Sequence, residues 1–108
     1  MGNILIFDAD SDLAIDLEHR LREVSCRTFV CTHKQQMFDV LKKHQLDVAI
    51  LICGVSVDWK AAAASLRNAV RQLHSQPQIV CVLRRPYNGP SDRLYGARQG
   101  VRVIYEKQ

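Results

Sequence analysis

Short apolar runs alternate with longer mixed stretches along the whole chain. The runs NILIF (Asn3–Phe7), CRTFVC (Cys26–Cys31), DVAILIC (Asp47–Cys53), QIVCVL (Gln78–Leu83) and VRVIY (Val101–Tyr105) are short and rich in β-branched residues. That pattern predicts five strands. The stretches between them carry apolar residues at helical spacing. Leu13, Ile15, Leu17, Leu21 and Val24 predict a first helix, with Asp10 or Ser11 placed to cap it. Met37, Val40 and Leu41 predict a short second helix within His33–His44. Ala61–Ala64, Leu66, Val70 and Leu73 predict a long third helix, capped by Ser56 or Asp58 and stopped by Pro77. A turn-rich segment from Arg84 to Pro90 follows the fourth run, and Ser91 is expected to cap a fourth helix that ends near Gln99.

The order βαβαβαβαβ predicts one α/β domain over residues 1–108, with a parallel sheet, helices on both faces and right-handed crossovers. The third and fourth runs lack polar alternation, as expected of central strands covered on both sides. In such folds the reacting groups gather at the carboxyl ends of the strands. Those ends fall at Asp8–Asp10, Thr32–Lys34, Cys53–Val55, Arg84–Arg85 and Glu106–Lys107.

Composition narrows the picture. The 108 residues are 47% hydrophobic and 24% charged, enough apolar surface to offset chain entropy. The longest apolar run, Val48–Cys53, is far short of the roughly 20 residues that span a bilayer. The start, MGNILIFDAD, has neither the positive charge nor the cleavage site of a secretory signal, so a cytoplasmic protein is expected. The net charge of +4 is unevenly placed. Residues 1–83 are balanced, whereas residues 84–108 hold Arg84, Arg85, Arg93, Arg98, Arg102 and Lys107 against Asp92 and Glu106. Such asymmetry marks either a solvated face or a contact surface for an acidic partner.

Cys26, Cys31, Cys53 and Cys81 form no CxxC pair and no zinc spacing, and their apolar neighbours predict buried thiols. Cys53 precedes Gly54 at a strand end, but a phosphate-holding loop needs Arg six positions later and the residue there is Trp59. The five glycines make no phosphate loop, and His19, His33, His44 and His74 have no patterned partners. Trp59 reads as a packing residue or an interface anchor. No catalytic residue is expected.

A family resemblance rests on four segments in correct order and spacing. ILIFDADSD before an amphipathic helix, DVAILICGV, QIVCVL and GARQGVRVIYEK together resemble the response-regulator receiver domain, the CheY-like fold. The resemblance covers nearly the whole chain. It implies a flavodoxin-like, three-layer, doubly wound sheet of five parallel strands in the order 2-1-3-4-5. It also implies five working groups: two acids that hold Mg²⁺, a phosphoacceptor Asp after the third strand, a Ser or Thr after the fourth and a Lys on the fifth. A hard divalent ion needs oxygen ligands, and phosphoryl transfer needs positive charge on the moving oxygens.

This chain departs from that set. Asp8 falls on the first acid and Ala9 on the second, with Asp10 as a neighbour that could serve if the loop shifts or could cap the first helix. Ile52 falls on the phosphoacceptor, or Cys53 after a slip of one residue. Leu83 or Arg84 falls on the Ser/Thr and Val103 on the Lys, with Ile104 after it; Lys107 lies too far along. Asp58, the next acid, is placed as a helix cap. The resemblance thus implies a degenerate pseudo-receiver that keeps Asp8 and Asp10 as an acidic remnant. Asp8 alone would hold Mg²⁺ poorly, so no cofactor is expected.

The implied function is a non-enzymatic signalling module of a two-component, phosphorelay type, acting by phosphorylation-independent protein contacts. Its surface would be the fourth strand, fourth helix and fifth strand, with Arg84, Arg85, Arg93, Tyr95, Arg98 and Arg102 meeting the partner. Receivers continue into a fifth helix, and only three residues follow Tyr105. Either that helix is absent or the chain is a fragment of a longer protein; its absence would leave one sheet face open to a homodimer or a covering partner. The alternative expectation is a small α/β nucleotide- or nucleic-acid-binding protein that uses the basic quarter, with Tyr87 and Tyr95 stacking bases. No reader motif accompanies it.

Overall fold

Each apolar run becomes a strand and each mixed stretch a helix. The structure, a computed structural model, describes residues 2–8, 13–54, 58–73, 76–84 and 90–105. Its elements are β1 (Asn3–Phe7), α1 (Leu13–Glu23), β2 (Arg27–Cys31), α2 (Lys34–Lys43), β3 (Val48–Cys53), α3 (Trp59–Val70), β4 (Gln78–Leu83), α4 (Pro90–Gln99) and β5 (Val101–Tyr105). The strands form one parallel sheet in the order β2-β1-β3-β4-β5, as the sequence pattern and the resemblance imply.

Local chemistry explains the ends of the helices. Asp58 accepts a hydrogen bond from the Ala61 N–H at 3.2 Å and caps α3. At the start of α2, the Gln36 side chain reaches back and accepts from the backbone N–H groups of Thr32 and His33. α1 closes through Ser25, whose φ of 64° lies in the left-handed region, and the Cys26 N–H returns to the Leu21 carbonyl. α4 starts two residues earlier than a Ser91 cap implies, at Pro90, so Ser91 lies inside the helix rather than capping it. A proline suits a first helical turn because its missing N–H would have no partner there. The proposed caps Asp10, Ser11 and Ser56 lie outside the described residues.

The main core lies between the sheet and α2, α3 and α4. Leu5, Leu51, Ile79, Cys81 and Leu83 meet Met37, Leu41, Trp59, Ala63, Leu66 and Val70 there. Fully burying one such aliphatic side chain contributes roughly 1.5–3 kcal/mol. A smaller cluster on the opposite side joins Ala14 of α1 to Ile4, Ile6 and Ile52. Two glycines hold α4 in place. A Cβ at Gly96 would stand 2.6 Å from Val103 Cγ2 and 2.8 Å from the Val101 carbonyl oxygen, so α4 lies directly on β5. Gly100 turns the chain into β5 at a φ of 71°.

Candidate functional site: the carboxyl rim of the sheet

The register of the ladder fixes which residues meet at the rim. Cys53 stands opposite Leu83, and Leu83 opposite Tyr105. Phe7 stands opposite Leu51, which brings Asp8, the next residue, level with Ile52. Asp8 is only 5% exposed, and its backbone N–H donates to the Cys31 carbonyl at 3.0 Å. The rim therefore gathers one buried carboxylate with apolar side chains and thiols.

The two phosphoacceptor candidates are buried on opposite sides of the sheet. Ile52 packs in the cluster under α1 and Cys53 in the cluster under α3. Neither has a carboxylate. Val103 does not reach the rim. It pairs with Cys81, two rungs below the strand ends, and is buried. The residue that completes the Cys53–Leu83 rung is Tyr105, which sequence spacing had not singled out. Arg84 follows β4, half-buried, and its N–H donates to the Cys53 carbonyl at 2.9 Å. Asp10, Arg85, Tyr87 and Lys107 lie outside the described residues.

Mg²⁺ takes near-octahedral oxygen ligands, and the described rim offers only the Asp8 carboxylate. No group of three His, Cys, Asp or Glu among the described residues is arranged to hold a metal. Among the described residues, the rim does not offer the oxygen ligands that this ion requires.

Polar structure is concentrated one strand further along. Asp92, in the first turn of α4, is buried at 6% exposure and accepts a hydrogen bond from the Tyr105 hydroxyl. The Lys60 ammonium approaches the other Asp92 oxygen at 3.9 Å and lies 5.0 Å from the centre of the Tyr95 ring. Tyr95 meets the Trp59 ring edge-on at 5.6 Å. These five side chains join α3, α4 and β5 at one corner. Trp59 is buried, which decides for packing over an interface anchor.

Of the six residues expected to meet a partner, Arg93, Arg98 and Arg102 are exposed. Arg93 and Arg102 line one groove of about 670 Å³ at the β5 edge, with Ala97, Ile104 and Tyr105. Tyr95 is half-buried against Trp59 and does not line this groove. A second groove, of about 460 Å³, runs between α2 and α3 past Phe38, Leu41 and Leu73 and lies away from every residue selected by sequence.

The thiols are as deeply placed as their neighbours imply. Cys31, Cys53 and Cys81 are buried, Cys26 half-buried, and none of the four forms a disulfide. Burial raises the Cys31 thiol above its ordinary range. Burial pushes the Cys81 thiol up to about 12, and the neighbouring Cys53 adds to the rise. Thiols held protonated are poor nucleophiles. No helix among the described residues is long and apolar enough to cross a membrane.

No family model and no curated protein matches the sequence. Solved structures match its shape. A response regulator from Thermotoga maritima superposes with a TM-score of 0.78 at 10% identity, over 100% of this chain and 87% of that one. Chemotaxis protein CheY4 of Vibrio cholerae gives 0.73 at 13% identity, over 100% and 87%. A chain of the Saccharomyces cerevisiae co-crystal of the histidine phosphotransfer protein Ypd1 with the receiver domain of Ssk1 gives 0.69 at 18% identity, over 97% and 78%. At such identities the likeness is one of fold: the chain has the CheY-like, flavodoxin-type fold of response-regulator receiver domains.

Proposed function

We propose that this chain is a degenerate receiver, a non-enzymatic module of two-component type signalling that works by protein contacts without aspartyl phosphate. One observation carries the reading. The fold has the receiver strand order, while the places that would hold the phosphoacceptor are filled by buried Ile52 and Cys53. A phosphoryl group needs an acceptor oxygen and a counter-charge, and neither residue offers the oxygen. The partner surface is the β4–α4–β5 side, where exposed Arg93, Arg98 and Arg102, joined by Arg84, Arg85 and Tyr95, would meet an acidic partner. The co-crystal of a receiver domain with a histidine phosphotransfer protein supports a protein as the class of partner.

The test is an amide NMR titration with Mg²⁺ and then beryllofluoride, a mimic of a bound phosphoryl group. The expected spectrum is unchanged around Asp8, Asp10 and Cys53. Localised shifts there, or about 80 Da added by acetyl phosphate at a mapped residue, overturn the reading.

A further inference from the structure

β2 forms one edge of the sheet, and its ladder with β1 runs without a bulge from Arg27 to Cys31. The Arg27 N–H donates to the Gly2 carbonyl, and the Asp8 N–H donates to the Cys31 carbonyl. Peptide groups alternate in direction along a strand. Arg27, Phe29 and Cys31 therefore bond to β1, and the N–H and C=O groups of Thr28 and Val30 point away from the sheet. Among the described residues, no group bonds them. Such an edge pairs with another strand unless charge, proline, a bulge or a covering element prevents it. β5, at the opposite edge, carries Arg102, with Arg93 beside it. β2 has only Arg27, at its first residue, and no proline. α1 and α2 pack against β2, yet Thr28 and Phe29 are half-buried and Val30 is 36% exposed.

The pattern of outward groups selects a second copy of the chain. A two-fold axis sets two identical edges antiparallel and makes the contact self-complementary. With the axis at Phe29, Thr28 of each copy stands opposite Val30 of the other. Each copy offers two N–H and two C=O groups there, and all of them pair in four hydrogen bonds. A register moved by two residues leaves half of them unpaired. At the axis, Phe29 meets its counterpart in a non-hydrogen-bonded pair, where Cα atoms come to about 4.5 Å and side chains touch. The Phe29 ring is already braced by His44 at 4.4 Å and by the Arg27 guanidinium at 5.0 Å. The two Arg27 residues are kept apart. Each stands opposite Cys31 of the other copy, so they lie about 14 Å from one another along the strands, beyond the Debye length of about 8 Å at physiological salt.

We infer that β2 pairs antiparallel with β2 of a second copy about a two-fold axis at Phe29, joining the two sheets into one. The contact is small, so the dimer is a weak one. It lies at the opposite edge of the sheet from β5 and does not depend on what the carboxyl rim binds, so the beryllofluoride titration and this inference fail separately.

Sedimentation of the intact chain across a concentration series tests it, together with amide hydrogen exchange. A dimer is expected, with protection of the Thr28 and Val30 amides that rises with concentration. In a mixture of isotope-labelled and unlabelled copies, the Phe29 α-proton is expected to contact its counterpart on the other copy. Val30→Lys places charge on the edge and Val30→Pro removes one outward donor, and each is expected to weaken dimerisation about tenfold or more. The Val30 N–H bonds nothing within the single copy, so neither change removes a hydrogen bond of the fold, and circular dichroism checks that the fold is kept. Ile104→Lys, at the β5 edge, is expected to leave the dimer intact. A chain that stays monomeric at about 1 mM overturns the inference. So does a dimer that survives both Val30 changes, one that Ile104→Lys dissociates, or one in which Phe29 shows no contact between copies.

Discussion

Within six residues, β4 shows how unlike the two sides of the sheet are. Ile79, Cys81 and Leu83 point toward α3 and α4 and are completely enclosed, while Val80 and Val82 on the other side are half-open. Past Gln78 the strand is apolar on both sides, so composition alone does not set the degree of enclosure of Val80 and Val82. The helices do: three cover one side, and α1 covers only part of the other. One side holds the larger core, and the other a smaller cluster around Ile4, Ile6, Ala14 and Ile52 with Val80 and Val82 half-buried beside it.

The largest test of that contrast is a pair of truncations. Leu66→Ala, in the enclosed side, should cost about 3–5 kcal/mol, and Val82→Ala about 1 kcal/mol, in urea unfolding. Equal losses would mean that the half-open side is as tightly packed as the other. Next comes the corner where α4 joins β5. Asp92→Ala removes the buried acceptor of the Tyr105 hydroxyl and the carboxylate beside Lys60 and should cost about 2 kcal/mol, whereas Arg98→Ala, exposed on the same helix, should cost under about 0.5 kcal/mol.

A smaller effect comes from pH. Cys81 is raised in the folded chain from the ordinary 9.0 to about 12. The folded state therefore keeps a proton that the unfolded state releases. The stabilisation from this thiol is complete below pH 9 and is lost as pH rises toward 12, by about 1 kcal/mol between pH 9 and 10. Cys81→Ala should be less stable at pH 7 and show a shallower alkaline decline than the parent chain in denaturant titrations. The smallest effect belongs to Ile104, exposed on β5. Ile104→Thr should leave stability within about 0.5 kcal/mol, because the side chain is already wet in the folded state. A loss above about 1.5 kcal/mol would show that Ile104 is covered.

The strands were legible because short β-branched runs have few alternatives. Three of the five intervals, Asn3–Phe7, Gln78–Leu83 and Val101–Tyr105, coincide with the observed strands, and the other two begin one residue later than expected. Alternation in VRVIY also anticipates that Arg102 faces outward. The Asp92–Tyr105 pair was not legible. Its members are thirteen residues apart, and their meeting depends on how closely α4 lies on β5, which Gly96 decides. The same approach turns Tyr95 inward, although PSDRLYGARQ has too few apolar positions to show which side of that helix is covered. The placement of Val103 depended on counting from a resembling segment. Only the ladder shows that it lies two rungs below the rim.

Trp59 is the sole tryptophan of the chain, and it is buried edge-on against Tyr95 where α3 meets α4. The protein thus carries its own optical gauge. Ultraviolet excitation at the red edge of protein absorption reports from a single site, without any attached dye. A ligand that pries α4 from α3 would wet the indole and move its emission to longer wavelength. A ligand that settles on the far side of the sheet would leave the colour unchanged. One emission spectrum would therefore tell which side of the molecule a new partner has grasped.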